Sequence, residues 1–320
     1  MKTPAIAHPV KSVTPVALGE PVKNRMLIGG MLMLGSASLF AGLSILIKLL
    51  GANYRIWDIG MYRFGGGLIL LLLLFGRSQR FFRPDNPRLL ITRGITGSIA
   101  FICCVTAIRQ IPVSTAIVFL YSFPAFAALF SAILYGDRVS VMGCLCVGVA
   151  LSGVAILFDF RFEGGLVGQA MGVMSGVFAG LTVAIIRKLR ETNGSAIIYF
   201  YFCLMGTLIT FLPFTDNPQL PQTGLETLMI AGIVFTSLVG QLLMNQGFSF
   251  VRSWEGGLFM TSELILVAFM GVLFLGEDLT WRFWAGGVLI FGSAVAIGRL
   301  GHRKDGEKVV RRSDSSSPTS

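Results

Sequence analysis

Glu263, in the run "FMTSELILVAFM" at 259–270, is an ionisable group among apolar neighbours in a segment long enough to cross a bilayer. A carboxylate at the centre of such a segment costs roughly 2.5–3.5 kcal/mol on insertion scales, so it has to face a cavity or a partner. Two chemistries are open to it. It can exchange a proton or pair with a substrate amine, which couples charge to conformation, or it can hold an intramembrane cation or cap a neighbouring helix. Ser262 beside it, with Gly256, Met260 and Met270 near its face, implies a lining that is partly polar and partly adaptable. Glu255, eight residues earlier, reads as an interfacial charge.

Arg63 stands about two turns into the second apolar segment. Its guanidinium can grip a substrate carboxylate bidentately, which an ammonium cannot, or it can hold helices together through their carbonyls. Lys48, in the last turn of the first segment, either snorkels to the surface or serves the outer mouth. In the fourth segment Ser114, Tyr121, Ala125, Ala128 and Ala132 recur at three, four or seven residues, while Phe119, Phe123, Phe126 and Phe130 project elsewhere. Such a small, hydroxylated stripe is either a helix contact or a cavity wall. Pro124 removes an amide donor there and predicts a kink that could act as a hinge. Gln241, Asn245 and Gln246 place three amides in the eighth segment, as ligand contacts or as bonds between helices. Gly172, Gly176 and Gly180 form a repeated GxxxG line, which predicts a close helix contact within the chain or in a dimer.

Other chemistry lacks its residues. The two histidines, His8 and His302, lie in the tails, so none is available for intramembrane acid–base or metal work. Cys103, Cys104, Cys144, Cys146 and Cys203 all fall in apolar segments without zinc or disulfide spacing. The chain contains no Gly-Lys dipeptide, hence no GxxxxGK[ST] phosphate loop. No cofactor, metal or nucleotide is expected.

The elements that position these groups follow from composition. Of 320 residues 54% are hydrophobic and 13% charged, with mean hydropathy +0.75, whereas a soluble domain has about a quarter charged residues. Apolar segments run at 26–50, 57–75, 89–108, 113–135, 139–158, 166–186, 195–213, 227–249, 254–275 and 281–299. They are too long and unalternating for barrel strands, so they predict an all-α membrane protein of ten transmembrane helices. The net charge of +10 belongs to topology, not to nucleic acid. With a cytoplasmic N terminus, 20 of the 26 Lys and Arg fall on the inner side, Arg93 among them. Both termini are then cytoplasmic, in a multi-pass protein of the plasma (inner) membrane. Residues 1–24 read as a tail without signal-peptide character, and 301–320 as a basic, disordered tail that is solvated or touches anionic lipid.

Two landmarks repeat. "FAGLS" at 40–44 returns as "FAGLT" at 178–182, and "YGDRVS" at 135–140 corresponds to "LGEDLT" at 275–280. Offsets of 138 and 140 predict two five-helix repeats, 25–160 and 161–300. Five is odd, so the second copy must be inverted relative to the first, an arrangement suited to alternating access.

The run "SLFAGLSILIKLLGANYRIWDIGMYRFGGGLILLLLLF" and the stretch "AIRQIPVSTAIVFLYSFPAFAALFSAILYGDRVSVMGCLCVGVALSGVAIL" resemble EamA-type members of the drug/metabolite transporter superfamily. The resemblance covers about 25–299, with two departures. Ala41 stands where the family often has tryptophan, and Leu264 follows Glu263 where a proline is common. The resemblance implies a ten-helix carrier of small metabolites, often an exporter of amino acids or related compounds, working without ATP hydrolysis. It leaves a lipid or lipid-linked headgroup flippase as the alternative. An intramembrane enzyme is the weaker alternative, because it finds no histidine, Cys–His pair or metal cluster. The partners expected are a small-molecule substrate, a proton as coupling ion and membrane lipids, for a monomer or homodimer.

Overall fold

A computed structural model describes residues 22–51, 53–76, 84–135, 141–157, 165–189, 192–247, 250, 259–260, 262–293 and 295–296. Residues 1–21 of the first tail, the whole of the tail at 301–320, residues 136–140 of the landmark at 135–140 and the pair Glu255 and Gly256 lie outside the described residues. The helices are α1 (Val22–Leu49), α2 (Ile56–Phe75), α3 (Pro87–Gln110), α4 (Val113–Leu120), α5 (Phe123–Tyr135), α6 (Val141–Leu157), α7 (Leu166–Leu189), α8 (Ser195–Asp216), α9 (Gly224–Gly247) and α10 (Ser262–Leu275), with α11 over 281–293. Among the described residues no strand is present. Among the described residues seven runs are long and apolar enough to cross a membrane, α4 and α5 counting as one, and two shorter apolar helices accompany them. The chain is a multi-pass, all-helical membrane protein.

Side-chain placement inverts the rule for soluble proteins. On α10 Ile265, Phe269 and Leu273 point outward at four-residue spacing, while Glu263, Val267, Ala268 and Gly271 are buried. A helix with its apolar stripe outside and its one carboxylate inside is arranged for hydrocarbon.

The helices pair across the two halves of the chain. α1 packs on α9, α3 on α7, α2 on α8, and α4 on α10. With α4 and α5 taken as one element, exchanging the halves turns the α1–α9 pair into the α7–α3 pair and leaves the other two pairs unchanged. The contact pattern therefore has the form of a two-fold relation between repeats.

The fourth apolar segment is not one kinked helix. It breaks at Tyr121 and Ser122, just ahead of Pro124, into α4 and α5. Pro124 has no amide to offer the Leu120 carbonyl, which would be its partner one turn earlier. The ladder tightens instead: the Ser122 amide donates to Phe119 O at 3.1 Å, and the Ser122 hydroxyl donates to the same carbonyl at 2.6 Å. Phe119 projects away from the Ser114–Tyr121 face and packs fully buried against α7.

The glycine line on α7 is what lets this break be covered. Gly172 faces the Phe119 ring, Gly176 faces the carbonyls of Phe119 and Leu120, and Gly180 faces the backbone of α5. The GxxxG line is therefore a helix contact within the chain. A Cβ on Gly180 would meet the Ala127 amide nitrogen at 2.8 Å and the Phe123 carbonyl at 2.9 Å, and backbone atoms cannot turn aside. Gly180→Ala should destabilise the protein by about 1–3 kcal/mol. A fall in the thermal unfolding midpoint in detergent checks this, with the exposed Gly292→Ala as control.

Candidate functional site: a polar core between the repeats

Helices α4 and α10 run antiparallel and touch at two polar points. At the inner end of α4, Tyr121 places its hydroxyl against Glu263. Its single proton is shared between Glu263 Oε2 at 2.7 Å and the Met260 carbonyl at 2.8 Å. Glu263 is 5% exposed, so this hydroxyl replaces water that the carboxylate does not have. Two turns away, at the N terminus of α4, Glu277 crosses from the second half. It accepts hydrogen bonds from the Val113 amide, the Ser114 amide at 3.2 Å and the Ser114 hydroxyl at 2.7 Å. Pro112 precedes α4 without a capping side chain, so Glu277 supplies the cap and meets the positive end of the helix dipole. Gly276, at φ +63°, turns the chain out of α10, and the Glu277 amide bonds back to Gly271 O at 3.1 Å. Ser114 and Tyr121 thus share one face of α4, as their spacing predicts, but Ser114 belongs to the cap and not to the Glu263 pair.

Beyond Glu263 the core becomes cationic. Arg63, 6% exposed, donates from Nε to Ser237 Oγ at 2.7 Å, and its guanidinium carbon lies 3.8 Å from the centre of the Phe101 ring. Glu263 lies within electrostatic range of Arg63 without forming an ion pair, and Cys104 is beside both. Arg93, 5% exposed, stands 4.4 Å from the centre of the Phe202 ring. The sequence counted Arg93 as an inner-side topological charge; the structure adds that α3 turns its side chain into the bundle, about two turns from the helix start. Tyr199 is fully buried, with its hydroxyl beside Cys203 and Ser237.

Other candidates are placed elsewhere. Lys48 neither snorkels nor reaches this core: its Nζ donates to Ile108 O at 2.6 Å and Ile111 O at 3.0 Å, closing the C-terminal end of α3. The Ser262 hydroxyl turns back to Phe259 O at 2.7 Å on its own helix. Gln246 is exposed, and the side chains of Asn245 and Pro124 lie outside the described residues.

One end of the bundle is sealed between the halves. Arg55 pairs with Asp58 at 3.3 Å and donates to Pro213 O at 3.0 Å, Tyr62 donates to Gln219 O at 2.6 Å, and Tyr54 donates to Glu226 at 2.9 Å. Glu277 on α4 completes the seal. A concavity of about 420 Å³ sits at this end, lined by Arg55, Trp57, Thr106, Arg109 and Gln110, away from Glu263. At the opposite end Asn193 exchanges two hydrogen bonds with the Asp85 backbone, at 2.8 and 3.2 Å.

The sequence profile of the EamA-like transporter family matches this chain twice, over residues 27–159 and 166–299. The chain belongs to the EamA-like transporter family. Its similarity to the pseudopaline exporter CntI of Pseudomonas aeruginosa is 27% identity over 285 residues, covering 86% of this chain and 97% of that one. Solute carrier family 35 member G1 of Homo sapiens is 22% identical, over 71% of this chain and 67% of the human one. A solved crystal structure shares the fold at a TM-score of 0.61 and 18% identity, over 88% of this chain and 98% of its own. This EamA-like protein is accordingly a small-molecule transporter and not an enzyme.

Removing the cap tests the seal. Glu277→Ala should cost the transporter about 0.5–2 kcal/mol, because two amides and a hydroxyl lose their acceptor. Glu277→Gln, which keeps one acceptor oxygen, should lose less. The ordering of their thermal unfolding midpoints in detergent checks both.

Proposed function

We propose that this EamA-like transporter is a secondary exporter of small metabolites, of the amino-acid or related class, driven by alternating access. The observation that carries this reading is Glu263, buried between the two halves and bonded across them to Tyr121 at 2.7 Å. A carboxylate joined to the opposite half ties its own charge state to their relative position. When Glu263 takes up a proton or meets a substrate amine, the demand it makes on the Tyr121 hydroxyl changes. The α4–α10 contact then loosens, and the halves rock about the core.

The wider topology belongs to the same reading. Ten crossings in two inverted five-helix repeats, with both termini on the cytoplasmic side of the plasma membrane, follow from the apolar runs and the distribution of Lys and Arg. The sealed end then faces outward, and the residues joining α2 to α8 and α4 to α10 form the gate that must part for release. Export is supported by the CntI relative, which is named as an exporter.

Metabolites inside cells and in the medium are compared for cells expressing the protein, its Glu263→Gln variant, its Tyr121→Phe variant or nothing. The unmodified protein should move a set of metabolites outward. Glu263→Gln should reduce that export about tenfold or more, the loss that about 1.4 kcal/mol of missing transition-state interaction produces, and should flatten its pH dependence at unchanged expression. Tyr121→Phe should keep export but alter its pH profile. Redistribution of lipids alone would replace this reading with a flippase, and export indifferent to Glu263→Gln would remove Glu263 from the mechanism.

A further inference from the structure

Arg93 is the least compensated charge in the described bundle. Its Nε and Nη1 are buried and have no hydrogen-bond partner among the described residues, and its guanidinium lies over the negative face of the Phe202 ring. A cation–π contact of this kind offsets only part of the cost of removing a guanidinium from water. Arg63 stands 5.7 Å from the centre of the same ring, so the two guanidinium carbons are at most about 10 Å apart. Two further orphans belong to the same place. Tyr199 Oη lies within electrostatic range of both arginines and has no partner, and Gln241 Oε1 lacks one on α9, a single turn beyond the Ser237 that holds Arg63.

The orphaned atoms have a chemical pattern. Arg93 Nε and Nη1 are donors in the fork geometry that matches a carboxylate, the Tyr199 hydroxyl can donate beside them, and Gln241 Oε1 is an acceptor. Among the described residues no carboxylate forms an ion pair with either arginine. A purely structural arginine would close this set within the protein, as Lys48 closes α3. Among the described residues these atoms are left open.

We propose that Arg63 and Arg93, with Tyr199 and Gln241, form the substrate subsite of this transporter and receive the carboxylates of an anionic or zwitterionic metabolite. The inference rests on the exporter reading and narrows its substrate class. Each arginine lies about two turns into its helix, Arg63 on α2 and Arg93 on α3. Two carboxylates of one ligand can engage both, and a single carboxylate can pass from one to the other as the halves rock. Glu263, within electrostatic range of Arg63, is then placed to meet the ligand's amine.

The test uses purified full-length protein in detergent with citrate and glutamate as probes, and putrescine and inorganic phosphate as comparisons. Citrate or glutamate should raise the thermal midpoint of the unmodified protein, putrescine should not, and Arg93→Met should erase the response. Arg93→Met should also raise the midpoint of the ligand-free protein, since it removes an unpaired buried charge; a structural arginine predicts a fall. Arg93→Lys should keep a response with about tenfold weaker apparent affinity, as expected where bidentate geometry is lost. Stabilisation by phosphate but not by either carboxylate, or an equal carboxylate response in Arg93→Met, overturns the proposal. Export profiles separate the two readings. If the unmodified protein exports metabolites but none bears a carboxylate, the transporter reading stands and this inference falls. If it exports nothing, the exporter reading falls, and the midpoint shifts still decide whether the anion site exists.

Discussion

Charge inside a slab of hydrocarbon is the constraint on which this bundle depends. A carboxylate and two guanidiniums lie within it at 5%, 6% and 5% exposure, and each makes a demand that lipid cannot meet. The fold answers by drawing helices of the two halves together around them. Tyr121 crosses to Glu263, Ser237 crosses to Arg63, and Phe101 and Phe202 offer ring faces to the cations. Polar groups mark the places where the halves meet, within an interior that is otherwise apolar, and a second set of apolar side chains is turned outward. An apolar core holds most of the interior, and the buried charges gather where helices of the two halves meet.

The same constraint explains the break between α4 and α5. Opening a helix in a membrane strands carbonyls, and strands them expensively. Ser122 meets one of them, and the α7 glycines bring a second helix close enough that the opened turn is covered by backbone and not by lipid. The break leaves Tyr121 at the end of a short helix facing the interior, and gives α4 an N terminus whose positive pole is met by Glu277. A discontinuous helix, a glycine track and a distant carboxylate form one unit.

Legibility in the sequence followed depth. The apolar runs gave the helices because no other backbone survives in hydrocarbon, and Glu263 stood out because nothing charged surrounds it. The seven-residue interval from Ser114 to Tyr121 correctly put both on one face, though not in one site. Arg93 was missed because it lies near the start of its run, where an arginine is normally interfacial; its direction around α3 was the signal, with Gly94 and Gly97 beside it. Glu277 was visible only as half of a repeat landmark, since a carboxylate in a loop says nothing about which amide it will find. Tyr199 hid among the aromatics of "YFYF", where only tertiary packing distinguishes a buried hydroxyl from a lipid-facing one. Pro124 announced a disturbance, but the break fell at Tyr121 and Ser122, because a proline frees the carbonyl that precedes it.

The cap on α4 has a consequence for how the chain is made. The amides of Val113 and Ser114 are answered by a side chain 164 and 163 residues further along. During synthesis the first half is already in the membrane, with that helix end exposed, long before residue 277 leaves the ribosome. The N terminus of α4 therefore stays uncapped until the second half arrives, and the first repeat by itself lacks this acceptor. What was once a duplicated module has become two parts that each finish the other.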